Sequence, residues 1–233
     1  WTKLCSVHQV KMCNYSINYA RLYQPHPNLY IFKPNMEYFV KHGAGHFYDC
    51  GSYTSKASEF ADLRAYLIAK LAWNPSLDTG RIIDEFVNGY YGKAAKPIRE
   101  YISLIHKYAA GVYDLRMDCY ASLENGQISK EVLKKADKLF DKAEELAKDD
   151  PVIRDRVEIA RLPVMFAEID LSQNSYHRVG SQLVCDLNLQ KDNFERFLAV
   201  LDKYKITRME DVSFLSTKEW SEPLKAQMQK PSL

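Results

Sequence analysis

Residues 60–92 read FADLRAYLIAKLAWNPSLDTGRIIDEFVNGYYG. Phe60, Leu63, Leu67 and Leu71 recur at three and four residues, which lays one apolar stripe along a helix. Asn74-Pro75 ends that helix, because proline has no amide hydrogen and crowds the preceding turn. Asp78 then stands where a carboxylate caps a second helix, whose apolar face is Ile82, Ile83, Phe86, Val87 and Tyr90. Trp73 and the Tyr90-Tyr91 pair could offer rings to a sugar. Both stand at apolar helix ends, so packing between two layers is the stronger expectation.

Toward the N-terminus, Val7 to Tyr15 and Ala44 to Cys50 are short apolar segments with strand character. Between them QPHPNLY is a loop, since each proline pushes its predecessor out of helical geometry. Lys33 to His42 carries Met36, Phe39 and Val40 at helical spacing and stops at Gly43. Strand, loop, short helix, strand, loop, long helix is the βαβα rhythm of a parallel sheet with crossover helices.

Toward the C-terminus the chain reads as helical throughout. A third helix near Pro97 buries Ile98, Tyr101, Ile102, Ile105 and Val112. A fourth starts at Ser129 with Leu133, Ala136, Phe140, Ala143 and Ala147 inward, its charged side reading as a solvated face. Asp150-Pro151 opens a fifth, which Pro163 should kink. The last clear helix spans Asn193 to Lys203, and a ragged tail follows. The expected fold class is α/β to mainly α, divided into residues 1–73 and a helical domain at 74–233.

Composition narrows the function classes. The 233 residues carry 32 Lys plus Arg against 30 Asp plus Glu, with no like-charge run suited to nucleic acid or a membrane surface. Cys5, Cys13, Cys50, Cys119 and Cys185 are odd in number and contain no CxxC pair, which argues against a zinc ribbon or disulfide scaffold. No apolar run is long enough to span a bilayer. The chain starts at Trp1 without a methionine, so an export signal upstream stays open.

Trp1-x-Lys3, Met12-Cys13-Asn14-Tyr15, the PHPNL loop, His46-Phe47-Tyr48-Asp49-Cys50-Gly51, AYLIAKLAWNP and EFVNGYYGKAA follow one another in order. Together they resemble the C-terminal third of a gut-bacterial glycoside hydrolase family formerly known only as a domain of unknown function. Its characterised members are endo-β-N-acetylglucosaminidases acting on complex N-glycans. The resemblance implies the last β/α units of an incomplete TIM-like barrel followed by a helical bundle. The missing N-terminal barrel segment, and the catalytic acids with it, would lie outside this chain. It also implies a periplasmic, cell-surface or secreted location and a glycan or oligosaccharide substrate, with no metal and no organic cofactor.

Barrel enzymes place chemistry on loops at the C-terminal ends of strands. Where the family has a Trp-Asp-Tyr type motif at the first strand end, this chain has Cys13 and Asn14 and keeps Tyr15. Where the second end reads Phe, acid, Gln, Gly, this chain has Tyr48, Asp49 and Cys50 before Gly51. Substrate-assisted hydrolysis of an N-acetyl sugar needs paired acids, with Asn or Tyr holding the acetamide. No adjacent acid pair occurs in these segments. Asn14 and Tyr15 are therefore expected as substrate contacts, against the alternative of a barrel-plugging tyrosine. Tyr48 and Asp49 are expected to meet sugar hydroxyls, against a capping or turn carboxylate. His26, between two prolines, is expected on a loop overhanging the cleft, against simple solvent exposure. Cys50 reads as inert packing. His42 and His46 read as structural, because Gly43 and Gly45 break the helix that would align them for zinc. Two other classes stay in play: a non-catalytic glycan-binding module of degenerate hydrolase fold, and an α-glucuronidase-like glycosidase.

Overall fold

The computed structural model describes residues 4, 10–55, 57–179 and 182–228. Strands β1 (Lys11–Tyr15) and β2 (His46–Cys50) pair in parallel, in register from Lys11 opposite His46 to Tyr15 opposite Cys50. Helix α1 (Phe32–Lys41) lies in the crossover that parallel pairing requires. Gly43 takes φ 74°, a left-handed conformation that costs glycine little, and turns the chain from α1 toward β2. Residues 7–9 of the first expected strand lie outside the described residues, and Val10 and Ala44 precede the strands rather than joining them.

Seven further helices follow: α2 (Ala61–Trp73), α3 (Thr79–Tyr91), α4 (Ala95–Gly111), α5 (Lys130–Ala147), α6 (Pro151–Ser172), α7 (Lys191–Lys203) and α8 (Thr217–Met228). Between α6 and α7 runs an antiparallel hairpin, β3 (Tyr176–Val179) with β4 (Gln182–Cys185). The fold is thus mixed α/β and dominated by helix. Three helices open on side-chain caps, at the expected Asp78 and Asp150 and also at Ser129. Asp78 accepts from the Arg81 amide at 2.8 Å, Ser129 from Val132 at 3.3 Å, and Asp150 from Val152 and Ile153 at 3.0 and 3.1 Å.

Two apolar cores meet along α6, whose central residues Leu162 to Ala167 are buried on every side. Val157, Ala160, Val164 and Ala167 face the first core, with α1 to α5; Leu162, Met165, Phe166 and Ile169 face the second, with α7 and α8. Such all-round burial is the mark of a central helix. Pro163 sits inside it, and the helix continues to Ser172. The first core includes residues on both sides of residue 73, from Leu29 to Ala167. The segment just after β1 (Ile17, Tyr19, Leu22, Tyr23) inserts into the second core beside α7 and α8, about 180 positions away in sequence.

Several expectations are corrected. Trp73 is 92 % exposed rather than packed between layers. Two residues beyond Leu71 is about 200° around the helix, so its ring points away from the stripe that Leu71 buries. Phe60 is buried but stands before α2 in a left-handed turn at φ 47° instead of opening the helix. Val112 falls beyond α4. The tail after Lys203 contains α8, held through Trp220 on Phe166, Phe194 and Phe197. The charged side of α5 is not merely solvated. Asp137, Asp141 and Glu144 converge on the buried guanidinium of Arg161 from α6. A single sequence window cannot show that pairing.

Candidate functional site

Residues opposite one another in a parallel pair share a face. Phe47 packs on Phe39 of α1 with ring centroids 6.1 Å apart, so the face bearing Met12, Asn14, Phe47 and Asp49 is the covered one. The other face carries Lys11, Cys13, Tyr15, His46, Tyr48 and Cys50, and all but the half-buried Cys50 are exposed. Parallel sheets ordinarily have both faces covered. Here one is open to solvent.

This division separates the expected site residues. Asn14 and Asp49 are half-buried on the covered side and bonded to each other, Asn14 Nδ2 donating to Asp49 Oδ1 at 2.6 Å. The second carboxylate oxygen accepts from Ser16 Oγ at 2.7 Å. Asp49 therefore clamps β2 to β1 and to the segment that follows β1. Tyr15 and Tyr48 are 54 % and 64 % exposed on the open face. The charges of the neighbouring Cys13 and Cys50 thiols, in that order, raise the Tyr15 phenol above its ordinary range, so it is a neutral hydrogen-bond donor at neutral pH.

Tyr15 stands edge-on to Tyr19, at 5.6 Å between centroids, and Tyr19 tilts against Tyr120 at 6.4 Å. The Tyr19 hydroxyl donates to the Cys50 carbonyl, and burial pushes its phenol well up, which keeps that donor protonated. Tyr19 also ties distant chain to the strand ends. Its amide donates to the Cys119 carbonyl at 2.8 Å, and its carbonyl accepts from the Asp211 amide at 2.8 Å. Asp211, 1 % exposed, accepts from the Tyr53 and Thr54 amides at 3.3 and 3.2 Å and from the Thr54 hydroxyl. The Tyr53 ring meets Phe214 edge-on at 6.3 Å. Phe214 is exposed and held at φ 57°, unusual for an aromatic residue, with Arg208 donating to its carbonyl. The strand ends thus carry a rim of exposed rings, Tyr15, Tyr48, Tyr53, Tyr120 and Phe214, drawn from four separate segments. Tyr53, Tyr120, Asp211 and Phe214 carry no local sequence signal that would have singled them out.

His26 does not join this rim. It is 5 % exposed within a buried loop, and burial, followed by Arg64, depresses its pKa to about 3. The expected overhanging loop is instead a core element, and several of its polar groups find internal partners. Asn18 and Gln24 both donate to the Ala121 carbonyl, Asn28 donates to the Ser16 carbonyl, and Arg64 donates to Asn28, to the His26 carbonyl and to Glu59. Glu59 and Arg64 form a buried ion pair; burial raises the Glu59 pKa and Arg64 opposes it. His42 stacks on Tyr38 at 3.9 Å, and His46 is exposed on the open sheet face. Among the described residues no group of three or more His, Cys, Asp or Glu is placed to hold a metal ion.

Residues 1–103 match the family model described as "Domain of unknown function (DUF4838)". The match spans β1, β2 and α1 to α3 and reaches into α4. No curated protein and no solved structure matches the chain.

Two surface hollows are lined by residues outside the rim. One of about 650 Å³ is lined by Lys93, Lys96, Asp141, Lys142 and Glu145, charged side chains of the α4–α5 surface. Another, of about 130 Å³, holds Glu168, whose pKa burial raises to about 7. Asn193 donates to Glu168 at 2.9 Å, and Lys130, Lys134 and Asp186 complete its surroundings. No helix among the described residues is long and apolar enough to cross a membrane.

Proposed function

We propose that this chain is the strand-end and helical portion of a glycoside hydrolase that cleaves β-N-acetylglucosaminide bonds in N-glycans by substrate-assisted retention. The observation that carries this reading is the open face of a parallel strand pair, rimmed at its C-terminal ends by exposed tyrosines. Parallel strands need neighbours, and a two-stranded parallel pair with one bare face is the expected remnant of a larger sheet. Further strands beside β1 and β2 would complete a barrel of the TIM type and carry the acids. Tyrosine rings at such an edge offer apolar faces to pyranose C–H groups and hydroxyls to the acetamide. The match over residues 1–103 covers the segments on which the family resemblance rests. Tyr15 and Tyr48 are the substrate contacts in this reading. Asn14 and Asp49 support them from behind, and His26 has no part. A periplasmic, cell-surface or secreted location belongs to the same proposal.

The test is incubation of the full-length protein with a glycoprotein bearing complex N-glycans, reading released oligosaccharide by mass spectrometry. Release that falls by about tenfold or more in Tyr15→Ala, with the fold intact, supports the proposal. Absence of release from any N-glycoprotein sinks the hydrolase reading.

One observation favours a second reading, a non-catalytic glycan-binding module. Asp49, the only carboxylate within β1 and β2, already accepts a hydrogen bond at each oxygen, from Asn14 and from Ser16. Retention on immobilised glycans without turnover by the full-length protein would select it. An α-glucuronidase-like activity would show instead as hydrolysis of a chromogenic glucuronide.

A further inference from the structure

Cys13 and Cys50 are both free, and their sulfurs lie 3.8 Å apart across the β1–β2 pair. They share the open face, one at the register position of Tyr48 and the other at that of Tyr15. Cys13 is exposed and Cys50 half-buried. We propose that Cys13 and Cys50 are a reactive dithiol, oxidised to an intramolecular disulfide by exchange with a small-molecule disulfide.

The step balances as follows. The Cys13 thiolate attacks one sulfur of the reagent, forming a mixed disulfide and releasing one reagent thiolate. The Cys50 thiolate then attacks the Cys13 sulfur, forming the Cys13–Cys50 bond and releasing the second. Two protein thiols are oxidised and one reagent disulfide is reduced; the two protons the protein thiols lose are taken up, through solvent, by the two released reagent thiolates. The order follows from access: Cys13 is exposed and meets the reagent first, while Cys50 is half-buried.

Bond formation must bring the sulfurs from contact distance to about 2.05 Å. The Cys50 carbonyl is held by Tyr19 and Ser16, so the movement falls on side-chain torsions and on β1, whose other edge has no partner among the described residues. Nothing lies within 4 Å of the Cβ that Gly51 lacks, which leaves room beside Cys50. The cross-link would pass beneath Tyr15 and Tyr48, joining the two segments that present them. It is independent of which ligand the rim binds.

The test treats the whole chain, natively folded, with oxidised glutathione, then alkylates and digests it without reduction. The expected product is a Cys13–Cys50 linked peptide lighter by two hydrogens, with loss of both alkylation adducts at these positions. Cys13→Ser should abolish that peptide, and Cys119→Ser should leave its yield unchanged. Separate glutathione adducts on Cys13 and Cys50, links that run through Cys119, or unreacted thiols at both positions would each overturn the proposal.

Discussion

His106 offers a measurable consequence of burial. Its Nε2 accepts from the Leu29 amide at 3.0 Å and its Nδ1 donates to the Ile102 carbonyl at 2.7 Å, so both ring nitrogens are committed to one neutral tautomer. Burial depresses its folded-state pKa to about 4, from an unfolded value near 6.5. Protonation would leave the Leu29 amide facing an N–H. Between these two values the unfolded chain binds a proton that the folded chain refuses. Stability from this group is therefore level above about pH 7 and lost as pH falls through the unfolded pKa toward the folded one. Linkage gives a loss of about 2 kcal/mol for this residue between about pH 7.5 and pH 5, a sizeable part of a typical domain's stability. His26 adds in the same direction. Glu168 opposes both, since its raised pKa relieves a buried charge as pH falls. A single variant isolates the histidine. His106→Gln keeps an acceptor for Leu29 and a donor for Ile102 but does not titrate. Urea unfolding at both pH values should show the wild type losing about 2 kcal/mol more than His106→Gln, all other groups cancelling in the difference. Parallel stability profiles for the two proteins would refute the reasoning.

Other substitutions probe the packing. Gly92→Ala places a methyl 2.6 Å from Ile153 Cδ1 at a residue with φ 49°, and should cost about 1–3 kcal/mol in urea melts. Tyr101 is fully buried and its hydroxyl has no partner among the described residues, so Tyr101→Phe should raise stability by about 1 kcal/mol; a clear loss would reveal a bond to water. Arg64→Leu strands the Glu59 carboxylate in the core and should cost about 3–5 kcal/mol, much of it regained in the Glu59→Gln, Arg64→Leu double variant.

The helices were legible because their causes are local. The stripe on α5, the stop at Asn74-Pro75, and the caps Asp78, Ser129 and Asp150 each act within a turn or two, and all stand where the residues put them. Where a long-range partner competes with local pattern, the reading fails. The prolines around His26 signal a loop correctly, but burial of that loop depends on Arg64 and Ala121. Helix α8 is not legible in the sequence because its apolar residues are few, and Trp220 acquires meaning only against Phe166, Phe194 and Phe197.

The candidate site shows the same limit. Asn14, Tyr15, Tyr48 and Asp49 were legible as strand-end residues from alternation and from the family resemblance. The alternation of a strand says which residues share a face, not which face is covered. Packing of Phe47 on Phe39 decides that, turning Asn14 and Asp49 inward as a clamp and leaving Tyr15 and Tyr48 outward.

The sequence by itself determined the strand–helix–strand order near the N-terminus and helices α2 to α7, because hydrogen-bond geometry and side-chain period act over a few residues. Only the tertiary structure decided that Asp211 reaches Tyr53 across 158 positions. Only it made α6 the shared wall of two cores and brought Cys13 against Cys50. Such contacts depend on how whole elements share buried area and satisfy each other's polar groups, a balance that no local window contains.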